Sequence, residues 1–230
     1  MNTSVEKPHI GKTHIFMDNS NIFGGAQRTA REKESAPWKS VRIDYQKLFA
    51  VIGRKRASLG TSMLAGSVPP GNDALWEAAQ TAGFDTTLLR RVESDDGRLI
   101  EQGVDEALHL KIGNILLDED QPGTIVLLTG DGATTEQECS FTKQVERAAK
   151  RGWKVEIWSW RSQLSPKLRD MRLRFPDLVT VNYLDEWYWG LVFLKAGEYD
   201  VKGDLVVVQG RRTQGIDLTD SAFAAARETT

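Results

Sequence analysis

A three-layer α/β/α fold around a doubly wound, mostly parallel sheet is what this sequence predicts, on three observations. Short apolar runs, Ile15-Phe16-Met17 and Thr124-Ile125-Val126-Leu127-Leu128-Thr129, end abruptly in polar and acidic residues. Stretches with apolar residues three or four apart lie between such runs. The runs themselves carry little polar alternation, as strands covered on both faces do. With 230 residues and 40% hydrophobic composition, the chain can bury one sizeable core but not two comparable domains.

Taken in order, residues 13–17 form a central strand that delivers Asp18, and Gly24 to Ser40 is expected to be a long polar loop. Asp44 offers an N-cap to a helix carrying Leu48, Val51 and Ile52 and ended by Gly53 or the Arg54-Lys55-Arg56 cluster. Thr61 to Gly66 is a second strand, Pro69-Pro70-Gly71 a turn, and Asn72 the cap of a helix that buries Leu75, Ala79 and Ala82 and closes at Gly83. Phe84 to Val92 reads as a third strand, leaving Arg90 and Arg91 at its end, with a polar loop from Glu93 to Gln102.

Gly103-Val104-Asp105 opens a helix with an apolar stripe through Leu108, Ile112, Ile115 and Leu116, which places Asp105 in the first turn. After the 124–129 strand, Thr134 or Thr135 is expected to cap a helix with Phe141, Val145 and Ala149 inward. Gly152 ends that helix and Trp153 to Trp160 is a fifth strand. Ser165-Pro166 starts a further helix with Leu168, Met171 and Phe175, followed by a short strand at Leu178 to Val181. Asp204 to Gln209 alternates weakly as a strand, and Asp217 to Thr230 reads as an alanine-rich tail. The expected organisation is an N-terminal arm (1–12), a domain (13–185) and a C-terminal extension (186–230).

The net charge of -2 gives no global basic footprint, so contact with a polyanion must come from local patches. A single cysteine and three scattered histidines leave no zinc spacing and no internal disulfide. No apolar run approaches the ~20 residues of a membrane span, and residues 1–12 carry no signal pattern. The expectation is a soluble, cytoplasmic protein without a membrane partner.

Two strand ends and one helix start bring acids to the carboxyl edge of the sheet, where doubly wound folds place ligands. Asp18, Asp105 and Asp131 gathered there would raise a pKa or hold a cation, and an all-oxygen donor set favours Mg²⁺ or Mn²⁺. Such a site suits hydrolysis of a phosphodiester. Asn21 stands one turn past Asp18 and is a candidate to orient it or a metal-bound water, while Asn19 and Ser20 are candidates for phosphate contact. Each acid also has a plainer reading. Asp131 can be a turn former, Asp105 a first-turn residue favoured by the helix dipole, and Asp18 a helix cap.

Met17-Asp18-Asn19-Ser20-Asn21, Ile43-Asp44-Tyr45-Gln46-Lys47-Leu48, Gly103-Val104-Asp105, Thr129-Gly130-Asp131-Gly132 and Leu164-Ser165-Pro166-Lys167-Leu168-Arg169 resemble, in order and spacing, the motifs of the NYN domain. The NYN domain is a branch of the PIN-like nucleases, and the likeness is to its LabA-type members over about residues 13–185. It implies a PIN-like sheet of order 3-2-1-4-5, a Mg²⁺ or Mn²⁺ site and ribonuclease activity. Asp18, Asp105 and Asp131 would be the metal ligands and Asn21 the amide of the first motif. One position departs: LabA-type sequences carry an acid where this chain has Ala133. Glu136 is a candidate replacement, whereas Glu138 pairs with Thr135 as a capping box. The missing charge keeps open a weak or inactive RNA-binding or scaffold module as the alternative to a ribonuclease.

Arg90 and Arg91 are the basic pair expected to face an RNA backbone, single-stranded by preference. Lys39 and Arg42 are expected to lean over the acids as part of a substrate flap. Alternation in Trp158-Ser159-Trp160 and Trp187-Tyr188-Trp189 puts each tryptophan pair on one face of a strand, as at a packed edge or a homodimer interface. His109 follows Asp105 by one helical turn and is within reach of the acids, or else simply packed.

Overall fold

The computed structural model describes residues 11–54, 56, 58–67, 73–89, 91–93, 99–101, 104–131 and 140–217. In chain order these form β1 (Thr13–Asp18), α1 (Asn19–Glu34), a 3₁₀ turn (Trp38–Ser40), β2 (Val41–Ile43), α2 (Tyr45–Ile52), β3 (Leu59–Ser67) and α3 (Asp73–Thr81). There follow β4 (Asp85–Leu89), β5 (Arg91–Glu93), β6 (Leu99–Glu101), α4 (Val104–Asp118), β7 (Thr124–Leu128), α5 (Phe141–Lys150) and β8 (Lys154–Ser159). The remainder is α6 (Pro166–Arg174), β9 (Val179–Tyr183), a 3₁₀ turn (Leu184–Trp187), α7 (Tyr188–Leu191), β10 (Val192–Leu194), β11 (Gly197–Val201) and β12 (Asp204–Val208).

Six parallel strands make the central sheet in the order β4-β3-β1-β7-β8-β9. The first five main strands reproduce the expected 3-2-1-4-5 order, and β9 extends the sheet by one edge strand. All of β1 is buried, and its side chains alternate between two cores. Ile15 and Met17 join Ile22, Leu48, Leu64 and Tyr188 on one face, while Phe16 joins Leu108, Ile112, Phe141 and Leu168 on the other. Helices therefore cover both faces, which is the three-layer α/β/α arrangement.

The expected loop from Gly24 to Ser40 is instead mostly α1. Asp18 caps its N-terminus, Ile22, Ala26, Thr29 and Ala30 form its buried stripe, and Ser35 closes it at φ 53° with its N–H on Ala30 and Arg31 carbonyls. Gly25 does not break the helix but makes room for a neighbour. A Cβ there would lie 2.3 Å from Trp160 Cδ1, and the Trp160 indole N–H donates to the Ile22 carbonyl at 2.8 Å.

Three further expectations change. Ser140, not Thr134 or Thr135, caps α5, its Oγ accepting the Lys143 N–H at 3.2 Å; residues 134 and 135 lie outside the described residues. The polar stretch after β4 includes an antiparallel pair, Arg91–Glu93 with Leu99–Glu101, so it is not wholly loop. Trp187, Tyr188 and Trp189 lie in a 3₁₀ turn and a short helix rather than on one face of a strand. Asn72 falls outside the described residues.

The C-terminal segment is laid onto the domain. β10 pairs antiparallel with β2, and the Arg211 guanidinium grips Glu34 at the end of α1 through two 2.7 Å bonds. Tyr188 donates its hydroxyl to the same Glu34 carboxylate. Burial and that carboxylate push the Tyr188 phenol up, keeping it a donor. β11 and β12 form a hairpin whose two-residue turn places Lys202 at φ 57° and Gly203 at φ 93°. Among the described residues no helix is long and apolar enough to cross a membrane.

Candidate functional site

The carboxyl ends of β1 and β7 meet in a small hydrogen-bonded lattice. β1 pairs with β7 through Met17 and Leu128, so Asp18 and Thr129 leave the sheet side by side. Asp18 is 5% exposed and divides its two oxygens. Oδ1 accepts the Asn21 backbone N–H at 3.1 Å as the N-cap of α1, and Oδ2 accepts the Thr129 hydroxyl at 3.2 Å. The same Thr129 oxygen accepts the Asp131 backbone N–H at 3.2 Å. One fully buried hydroxyl thus couples the two acids.

Asn21 completes the lattice from the first turn of α1. Its carboxamide oxygen accepts the Gly130 N–H at 2.7 Å, so it holds the turn that carries Asp131. The Gly130 carbonyl in turn accepts the Ser165 N–H at 2.9 Å, and Ser165 Oγ caps α6 through Leu168 N at 3.2 Å. A side chain at Gly130 has no space, since its Cβ would lie 2.4 Å from the Gln163 carbonyl oxygen. The first, fourth and fifth sequence motifs therefore meet at one point.

Asn19 is 4% exposed, and its Oδ1 accepts the Tyr45 hydroxyl at 2.7 Å. It fastens α1 to α2 and does not present a phosphate contact, contrary to the role expected of it. Burial pushes the Tyr45 phenol well up, the hydrogen bond to Asn19 opposing this in part, so Tyr45 stays a neutral donor. Ser20 is half-buried beside it in the first turn of α1.

Asp105 sits half-buried in the first turn of α4. One turn on, His109 is buried, packs edge-on against Phe141 at 4.4 Å, and has neither ring nitrogen hydrogen-bonded among the described residues. Burial holds its pKa below the ordinary value. Glu106 and Asp131 pull it up and Arg147 pushes it down, which brings His109 within the field of Asp131. Thr129 and His109 had no assigned role in the motifs; the signal for Thr129 was a hydroxyl at the last position of an otherwise apolar strand.

Arg90 and Glu136, with Ala133, lie outside the described residues, as do the side chain of Arg91 and residues 94–98. Arg91 contributes its backbone to β5. Lys39 and Arg42 do not lean over the acids. Arg42 donates to the Lys39 and Val41 carbonyls, and Lys39 Nζ donates to the Asp200 carbonyl at 2.7 Å in the C-terminal hairpin.

Among the described residues no three or more His, Cys, Asp or Glu side chains are gathered to hold a metal ion. The donor chemistry nevertheless suits an open site. Each carboxylate oxygen has two lone pairs, so Asp18 Oδ2 can accept a hydroxyl and still ligate. Mg²⁺ commonly takes only one or two carboxylates and completes its shell with water and phosphate oxygens.

No family model and no curated protein matches the chain. A solved structure of a protein of unknown function from Vibrio parahaemolyticus is similar, with a TM-score of 0.54 and 21% identity over 78% of this chain and 98% of that one. That likeness speaks to the fold alone. A putative aminotransferase from Clostridium difficile also aligns, at a TM-score of 0.26 and 6% identity over 70% of this chain and 42% of that one.

Proposed function

We propose that the protein is a metal-dependent ribonuclease of the NYN type, acting at the carboxyl edge of the sheet. The observation that carries this reading is the coupling of Asp18 to Asp131 through Thr129. Asp18 and Asp131 would hold a Mg²⁺ or Mn²⁺ ion, with Asp105 of the third motif as a further candidate ligand. When bound, the ion supplies a polarised phosphoryl oxygen and an acidified water.

The chain's own residues do the rest. Thr129 ties the Asp18 carboxylate to the backbone N–H of Asp131. Asn21 pins Gly130 and so sets the direction of Asp131. Asp18 is held still by its capping bond, so closing the site costs little side-chain entropy. The preference for RNA rests on the motif likeness to NYN domains.

The test is cleavage of end-labelled single-stranded RNA in Mn²⁺. Asp18→Asn and Asp131→Asn should each lose more than the roughly 10–100-fold that removing an outer-shell partner costs. Their thermal unfolding should stay cooperative. Activity that survives both changes would remove these acids from the reaction. The second reading, a weak or inactive RNA-binding module, is favoured by the absence of a three-acid metal group among the described residues. RNA binding with no turnover in the wild type would establish it.

A further inference from the structure

A cavity of about 650 Å³ lies between the second half of α1, the 3₁₀ turn that follows it and the β11–β12 hairpin. Its walls carry four cationic side chains, Arg28, Arg31, Lys39 and Lys202, against one acid, Asp200. The Asp200 carboxylate already accepts the Gly203 N–H at 3.1 Å, and its carbonyl takes Lys39 Nζ. Among the described residues none of the four cations is ion-paired. A concentration of positive charge in a chain of net charge -2 is a local device, not a by-product of composition.

Trp38 stands at this cavity 55% exposed, with Lys39 Nζ 5.6 Å from its ring centroid. A large exposed aromatic set among cations, over an apolar floor that includes Pro37 and Val206, is the combination that binds single-stranded nucleic acid by stacking a base and tracking the backbone. Position strengthens the match. Arg28 donates to the Ser162 carbonyl at 3.1 Å, in the same loop whose Gln163 lies against Gly130. Arg31 follows one turn later on the same face. At 1.5 Å per residue, α1 carries the basic run about 20 Å from Asp18.

We propose that this cavity is an RNA-holding site, in which Trp38 stacks one base while Arg28, Arg31 and Lys202 take phosphates of a single strand that continues to the acidic edge. It rests on the reading that a polynucleotide is the substrate of that edge. Binding and cleavage separate in the test because the cavity contains none of the proposed metal ligands.

The experiment is anisotropy of fluorescent oligouridylate titrated with the full chain in EDTA, over a salt series. Wild type should bind. Arg31→Glu combined with Lys202→Glu, both exposed, should weaken binding at least ten-fold and flatten the log K against log salt slope by about 1.4, two phosphates at ~0.7 each. Trp38→Ala should cost about ten-fold, with Trp38→Phe recovering most of it. Wild type failing to bind in EDTA, affinity indifferent to Trp38 and the charge reversals, or polyglutamate binding as tightly as RNA would overturn the proposal. Binding that follows these variants without any cleavage would uphold the cavity and refute the nuclease reading. Cleavage of long RNA with the groove variants unaffected in KM would refute the cavity alone.

Discussion

The two ends of α1 differ in charge, in construction and in how far apart in sequence their parts lie. At the N-terminal end, Asp18 caps the helix and joins Thr129, Asp131 and Asn21 in a neutral-donor lattice with the acids on the sheet edge. At the C-terminal end, Glu34 takes Arg211 and Tyr188, and the surrounding cavity is cationic. On the proposed reading the first end would take a cation and the second an anion, and their spacing along one helix would let a single polyanion engage both.

The largest effect expected from breaking this contrast, after the loss of either acid, comes from Asn21→Ala. It strips the partner from the buried Gly130 N–H, which should cost about 1–3 kcal/mol in urea unfolding. Because Asn21 also aims the Asp131 turn, cleavage should fall by roughly 10–100-fold. Glu34→Ala tests the other end. It leaves Arg211 and Tyr188 without their shared acceptor and should cost about 1–3 kcal/mol. In hydrogen exchange it should expose β10 and β2, leaving the acidic lattice protected.

Thr129→Val is a smaller and sharper probe. It keeps the volume and removes both bonds that couple the acids, so stability should fall by about 1–2 kcal/mol. The expected kinetic signature is weaker Mn²⁺ dependence with RNA affinity in EDTA intact. Unaltered metal dependence in the Thr129→Val protein would separate Asp18 from Asp131.

The smallest effect concerns pH and the far end of β1. Buried His14 accepts the Thr61 N–H on Nδ1 at 3.1 Å, which requires the neutral ring. Burial lowers its pKa, Glu119 opposes this and Lys12 assists. A lowered folded pKa means the unfolded chain binds the proton more readily. The stabilisation is therefore complete above the ordinary histidine range near 6.5 and is lost as pH falls through the folded value. His109 acts in the same direction, so the check is the difference between wild type and His14→Gln in urea midpoint from pH 8 to 5. The gap should narrow as the pH drops.

Much of the acidic end was legible because its signals are local. An apolar run ending at Asp18, and a second ending in Thr129-Gly130-Asp131, show themselves as strands with polar ends, and alternation with helices points to a doubly wound, mostly parallel sheet, while the strand order came only with the likeness to NYN domains. α1 was hidden because Gly24-Gly25 and a run of mixed charge read as loop. Gly25 is required by the Trp160 indole, a contact between residues far apart in the chain. Trp187 and Trp189, spaced two apart, mimicked a strand, while burial follows Tyr188 and Leu191, spaced three apart as in a helix. The cationic end was illegible for a topological reason. It joins Gln27–Lys39 to Asp200–Val206, and only the docking of the C-terminal hairpin puts them together. Lys202-Gly203 is also a weaker hairpin signal than Asn-Gly.

The most direct measurement of the central claim is the anomalous difference map of crystals soaked in Mn²⁺. A peak within ligation distance of both Asp18 and Asp131, absent from Asp18→Asn crystals, is the result expected. A map with no peak at that edge, or with the metal held elsewhere while RNA is still cleaved, would contradict it.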